Sequence, residues 1–354
     1  MPEAPGSRDT VLDPATAPPA TAPAARPRRL DLDRAKGIAI LLVVFGHLVA
    51  RQAPPGVEWY EPVRYLVYRF HMPFFLYLSG TVVMLAGTAR VPPAAWPGFL
   101  RRRAVRLLVP FFAVGLLILG AKLAATQVVH VDNRPHGLAG GLTDLFWSTG
   151  QSPATSIWYL LVLFLCTVVA LPVLRLRGGT TALVLLGVAL QVVELPPVAY
   201  LDRFGNHFLF FAAGCWVAER EAWLLPAFDR WPWPWWGLLG MALALAAMGW
   251  LDARWSMVAC GLLSIPALHG AMRRWPVDRL RWPLVLGRYG MAVYLFNTMA
   301  IGLAKAALLA VGIGWTAAAF GIHVVVLMLA GVALPILLKR LVLRRVPTLN
   351  RMTD

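Results

Sequence analysis

Charge is scarce in this chain and cysteine nearly absent. Only 14% of its 354 residues are Asp, Glu, Lys or Arg, against a hydrophobic share of 59%. That is too little charge to solvate an ordinary soluble protein of this length. Three cysteines occur, Cys166, Cys215 and Cys260, all inside apolar stretches. Their odd number and placement argue against a disulfide framework and against a metal cluster. The apolar runs lack the two-residue alternation of membrane β-strands, and no fixed-period repeat is apparent. These absences leave a polytopic helical membrane protein, because in lipid a helix satisfies its own backbone.

Apolar stretches of about twenty residues mark candidate spans. About ten are found, at roughly 34–51, 65–87, 107–128, 156–175, 181–195, 204–219, 235–251, 255–272, 287–311 and 318–338. With the amino terminus inside, most of the 33 Lys and Arg fall in cytoplasmic segments, as the positive-inside rule requires. The expected fold is therefore all-α, with about ten transmembrane helices, both termini cytoplasmic, in the inner (cytoplasmic) membrane. Topology also accounts for the net charge of +16, so no nucleic-acid partner is called for. Residues 1–28 read as a disordered Pro/Ala-rich tail, residues 29–345 as the membrane domain, and 346–354 as a cytoplasmic carboxy-terminal tail. Trp231, Trp233, Trp235 and Trp236, alternating with Pro232 and Pro234, read as an interfacial anchor.

Polar residues stand out against this background. Lys36 and His47 bracket the first apolar helix, eleven residues and about 16 Å apart, with only about 20° of angular drift. One face thus carries a cation at its mouth and a titratable nitrogen deep inside, which by default suggests function. His71 lies early in the second span, at a depth similar to that of His47. Taken singly, each histidine reads as a packed ring bonded to a carbonyl. The pair together with Lys36 reads as a site.

The same residues carry a family pattern. Asp33, Lys36, Gly37 and His47 follow the form Asp-x-x-[Lys/Arg]-Gly-x8-9-His. Phe70-His71-Met72-Pro73, ending in Ser79-Gly80, forms a second motif, followed by Arg102-Arg103 through Arg106 and Pro110, then Trp158-Tyr159-Leu160, and Leu286-Gly287-Arg288-Tyr289-Gly290 running on to Tyr294 and Leu295. In these the chain resembles the membrane-bound acyltransferase-3 family, in its sugar O-acetyltransferase branch. The resemblance implies acetyl transfer from acetyl-coenzyme A to a hydroxyl of a sugar, polysaccharide or glycolipid, without a metal. Two positions depart from the pattern, Met291 in place of a small hydroxyl residue and Asn297 in place of a histidine.

On this reading Lys36 and Arg34, with Arg102, Arg103 and Arg106, would hold the coenzyme phosphates by charge-assisted bonds, though for the arginines at 101–103 the reading as topology anchors stands first. The length from Lys36 to His47 suits an extended pantetheine arm. His47 would be general base, or an acyl carrier; His71 would orient the acceptor or stabilise the oxyanion, and Asp33 would pair with Lys36 or cap the helix. Tyr77, Ser79, Trp158 and Tyr159 would line the acceptor path, with close helix packing the other reading of Ser79-Gly80. His207, His269 and His323 read as interfacial or satisfied. Lys305 reads equally as a snorkelling cation or an intramembrane one. Glu194, Asp202 and Arg203 form an external cluster. A rival function is a transporter or lipid-linked-sugar flippase using Lys36, His47 and His71 as its pathway. The oligomeric state stays open.

Overall fold

The computed structural model describes residues 28–50, 52–125, 137–274 and 276–353. Most of the expected amino-terminal tail therefore lies outside the described residues. All regular elements within them are helical: α1 (Leu30–Gly46), α2 (Tyr60–Leu85), α3 (Trp96–Ala125), α4 (Gly137–Phe146), α5 (Trp158–Val173), α6 (Gly179–Ala189), α7 (Leu201–Glu219), α8 (Glu221–Arg230), α9 (Pro232–Ala247), α10 (Ala253–Met272), α11 (Trp282–Ala310), α12 (Ala317–Leu341) and α13 (Pro347–Met352), with short 3-10 turns between. Each apolar stretch picked out in the sequence overlaps a helix. Among the described residues four helical segments are long and apolar enough to cross a membrane: Pro93–Ala124, Ala253–Met272, Trp282–Ala310 and Ala317–Arg345. With Leu329 and Val325 about 60% exposed, α12 presents apolar side chains outward, as a lipid-facing helix must. The protein is a multi-pass membrane protein.

The first helix ends earlier than its apolar run, at Gly46 instead of near residue 51, and His47 is its cap. The reason is supplied by α2. Tyr60 Oη donates to the carbonyl of Phe45 at 2.7 Å, Tyr68 Oη to that of Gly46 at 2.9 Å, and Arg64 Nη1 to that of Val49 at 2.9 Å. The first two add donors to the last carbonyls of the helix, and the third holds the chain just beyond it.

Two helix pairs approach so closely that only glycine fits between them. In the first, a Cβ on Gly37 of α1 would collide with the carbonyl of Pro283, and one on Gly287 of α11 with that of Asp33. In the second, Gly80 of α2 meets the backbone of Phe211, and Gly214 of α7 that of Tyr77. Small residues let backbones approach in membranes, where dispersion replaces the hydrophobic effect between helices. Both pairs run parallel, since their contacts keep a steady offset. Thr81 reaches Gly214 across 133 positions and Cys215 reaches Gly80 across 135, while His47 meets Asn297 across 250.

Gly37→Ala and Gly80→Ala are therefore expected to destabilise the protein by about 1–3 kcal/mol or more. Gly240 of α9, where an added Cβ meets nothing within 4 Å, is the control. Its alanine variant should be neutral or stabilised by up to about 1 kcal/mol. Thermal midpoints of the purified proteins, followed by tryptophan fluorescence, decide; equal midpoints for all three would refute the packing argument.

Candidate functional site

The parallel pairing of α1 with α11 sets His47 beside Asn297. The two share a register: Gly37 precedes His47, and Gly287 precedes Asn297, by the same ten residues. His47 Nδ1 and Asn297 Oδ1 are 2.7 Å apart. Asn297 Nδ2 donates to the carbonyls of Val293 and Tyr294 at 2.9 and 2.8 Å, which fixes the amide with its oxygen toward the imidazole. Nδ1 of His47 is then the N–H donor, and in the neutral ring the lone pair lies on Nε2.

The parallel pairing of α2 with α7 does the same for two further histidines. His71 Nδ1 donates to the carbonyl of Val67 at 2.9 Å, and His207 Nδ1 to that of Arg203 at 2.9 Å. His71 lies within electrostatic reach of both His47 and His207. None of the three Nε2 atoms has a hydrogen-bond partner among the described residues. The three imidazoles thus leave the same nitrogen open. Tyr68 packs on His71 with ring centroids 4.8 Å apart, and Trp158 on His207 at 4.8 Å, with the Arg203 guanidinium 5.8 Å from the Trp158 ring.

Below them a polar contact joins three of the sequence motifs. Ser79 Oγ donates to the Phe75 carbonyl at 2.9 Å, so the 2.5 Å contact to Tyr159 has Tyr159 Oη as donor. The Tyr159 backbone N–H in turn donates to Tyr294 Oη at 3.2 Å. At the other end of α1, Lys36 Nζ stands 3.9 Å from Asp33, whose second oxygen takes Arg28 at 2.5 Å. Arg106 lies within electrostatic reach of Lys36, and both Arg103 and Arg106 within reach of Tyr159. Lys36 and Arg106 therefore stand close enough to repel one another, and Arg103 and Arg106 close enough to act on Tyr159.

Other expected site residues lie apart. Arg34, about 200° around α1 from Lys36, donates to the Leu280 carbonyl at 3.4 Å. Arg102 is exposed on α3. Tyr77, about 200° around α2 from Ser79, is fully buried and bonds His269 Nδ1 at 2.7 Å. His269 Nε2 meets Asp31 Oδ2 at 3.2 Å, and Asp31 takes Arg29 at 2.9 Å. A carboxylate only accepts, so His269 donates from Nε2 and accepts from Tyr77, leaving neither nitrogen open. This chain ties α1, α2 and α10 together and is structural. Its bond to Asp31 first, and to Glu221 next, holds the Arg29 guanidinium above its ordinary pKa; Asp229 does the same for Arg273.

Sequence reading gave His207 as interfacial or satisfied and Asn297 as a departure from the family pattern, and placed neither in the site. A signal for His207 was present, since His-x-x-Phe-Phe occurs both at His71, Phe74, Phe75 and at His207, Phe210, Phe211. Lys305, read as a lone cation, lies 3.4 Å from the ring centre of Trp315.

Comparison with known proteins places the chain further. Residues 29–340 match the family described as "Acyltransferase domain". Nodulation protein NolL of Mesorhizobium japonicum is 26% identical over 225 residues, 63% of this chain and 57% of that protein. Nodulation protein NolL of Sinorhizobium fredii is 37% identical over 100 residues, 28% of this chain and 26% of that protein. The chain thus spans little more than half of the one and a quarter of the other. No solved structure matches.

The contrast between open and occupied histidines gives a prediction. Asp31→Ala, which leaves the buried His269 Nε2 without an acceptor while Arg29 keeps Glu221, should cost about 1–3 kcal/mol, and Tyr77→Phe about 1–3 kcal/mol. His207→Ala, which opens space beside Trp158 and removes only a bond to a carbonyl of its own helix, should cost no more than Asp31→Ala. A Tyr77→Phe protein as stable as the parent would show that the buried chain is not structural.

Proposed function

The chain belongs to the acyltransferase family matched over residues 29–340, and on that premise we propose that it is an integral-membrane O-acetyltransferase carrying acetyl from acetyl-coenzyme A to a hydroxyl of a sugar or glycolipid. The observation that carries this reading is the bond from His47 to Asn297, which leaves Nε2 as a neutral base of fixed direction. A general base needs a positioned lone pair more than it needs charge.

The chemistry follows from that lone pair. His47 Nε2 takes the proton of the acceptor hydroxyl as its oxygen attacks the thioester carbonyl. The tetrahedral intermediate collapses with loss of the sulfur, which recovers the proton from the imidazolium, so an ester and a free thiol are formed. His71 and His207 flank this point and would orient the acceptor, with Trp158 beside them as a flat face for a sugar ring. Lys36, Arg103 and Arg106 would meet the phosphates of the donor, which bind guanidinium and ammonium groups through charge-assisted bonds. The roughly 16 Å of rise from Lys36 to His47 leaves room for the donor's arm between them. Family membership weighs against the transporter reading.

Membranes containing the protein should transfer labelled acetyl from acetyl-coenzyme A into envelope glycans. His47→Ala should abolish transfer. Asn297→Leu, which frees the ring to turn, should lower it about 10–100-fold, while Asn297→Asp, which still accepts from Nδ1, should retain most of it. Full activity in the His47 variant, at equal protein level, would remove this residue from the chemistry. Lys36→Ala should chiefly raise the KM for acetyl-coenzyme A, and an unchanged KM would detach the mouth from donor binding.

A further inference from the structure

The site described above makes no use of Tyr289, and the side chains that meet there are of one kind. Arg340 Nε, on the last turn of α12, and Arg344 Nη2, just beyond it, both donate to Tyr289 Oη of α11 at 3.0 Å. Their guanidinium carbons lie 5.1 and 5.5 Å from the centre of the Tyr289 ring. Because both donors reach one oxygen, they stand within about 6 Å of each other, where like charges repel. Among the described residues neither arginine is bonded to a carboxylate. The Tyr289 ring is buried, while Arg340 and Arg344 are exposed. Arginines that only marked topology would be free to stand apart; here the phenol holds both toward one point.

This cluster has only donors left to offer. A phenol oxygen has two lone pairs and one proton. The two arginines take the lone pairs, so the O–H remains as a donor beside the unused guanidinium N–H groups. Two cationic donors and a hydroxyl, with no free acceptor among them, suit a phosphate. The placement says which phosphate. Tyr289 stands two residues, about 200° around α11, from Gly287, whose side of the helix lies on Asp33 of α1. The cluster thus faces away from α1, the helix that carries Lys36. On α12, Arg340 ends the outward face: Ile322, Val325, Leu329 and Leu337, all within about 60° of it around the helix, are 50%, 58%, 64% and 47% exposed. The rise from Leu329 to Arg340 is about 16 Å, half of a hydrocarbon core of roughly 30 Å. An acyl chain laid on that face brings its own phosphate to the arginines.

We propose that Tyr289, Arg340 and Arg344 form a binding site for the headgroup phosphate of an anionic phospholipid, whose acyl chain lies on the outward face of α12. The lipid neutralises two arginines that one phenol holds together, and it ties the adjoining ends of α11 and α12 to the membrane surface.

The test uses the full chain in nanodiscs of phosphatidylcholine with a minor share of phosphatidylglycerol, released for native mass spectrometry. The parent should retain one phosphatidylglycerol per chain after bulk lipid is stripped. Arg340→Gln, Arg344→Gln and Tyr289→Phe should each lower its occupancy about tenfold, whereas Arg177→Gln, at an exposed arginine between α5 and α6, should not. In detergent, added phosphatidylglycerol should raise the thermal midpoint of the parent and of Arg177→Gln and leave that of Arg340→Gln unmoved. Equal retention in Arg340→Gln and Arg177→Gln would overturn the proposal and leave a general basic surface. Displacement of the lipid by coenzyme A, with coenzyme A held by the parent and not by Arg340→Gln, would overturn it in favour of the donor's phosphates. Displacement by inorganic phosphate alone would overturn it in favour of a free-anion site.

Discussion

Four glycines set the helix registers on which the proposed site depends. Gly37 with Gly287 sets the register of α1 on α11, and Gly80 with Gly214 that of α2 on α7, each through backbone contact that no side chain could share. Parallel packing converts these contacts into side-chain pairings higher up. Ten residues beyond the first pair His47 meets Asn297, and on the second pair His71 and His207 arrive at neighbouring positions. A shift of a single residue in either pair would turn these side chains by about 100°. The site's geometry is thus a property of helix registers fixed a full two or three turns away.

The distribution of protons follows from the same packing. Imidazoles in an apolar bundle are tolerable when neutral and bonded, and each of the three central rings gives its Nδ1–H to an oxygen fixed by its own or a neighbouring helix. The opposite nitrogen is left open in all three. His269 is buried too, yet both its nitrogens are engaged by Tyr77 and Asp31. What separates it from the histidines of the proposed site is the count of occupied nitrogens.

That distinction explains what the sequence made legible. Helices were readable from the length of apolar runs, and Lys36 with His47 from helical spacing, because both depend on residues close in the chain. The end of α1 was not, since its last carbonyls take bonds from Tyr60 and Tyr68, which lie beyond the intervening loop on the next helix. Asn297 looked like a departure from the family pattern because its partner is 250 positions away. Tyr77 and Ser79 were read together as lining one path, yet a two-residue separation sends them to opposite sides of α2. Arg34 and Lys36 were read together for the same reason and part for the same reason.

The separation of charge from lone pairs bears on the kind of reaction the bundle can run. Cations gather around Lys36 at one end of α1, and neutral bases around His47 at the other, with Ser79, Tyr159 and Tyr294 bonded between them. A relay of one proton through the membrane would need titratable groups in continuous contact. In this middle stretch the Ser79 proton goes to the Phe75 carbonyl and Tyr294 Oη is reached only by a backbone N–H, so the chain of hydroxyls is broken. A long donor that is anionic at one end and reactive at the other meets the arrangement without any such relay. Its charge would stay at the mouth while its reactive carbon lies by the histidines. On the proposed reading neither substrate crosses the membrane whole, and the length of a single helix does the work that a transporter would need a conformational cycle to do.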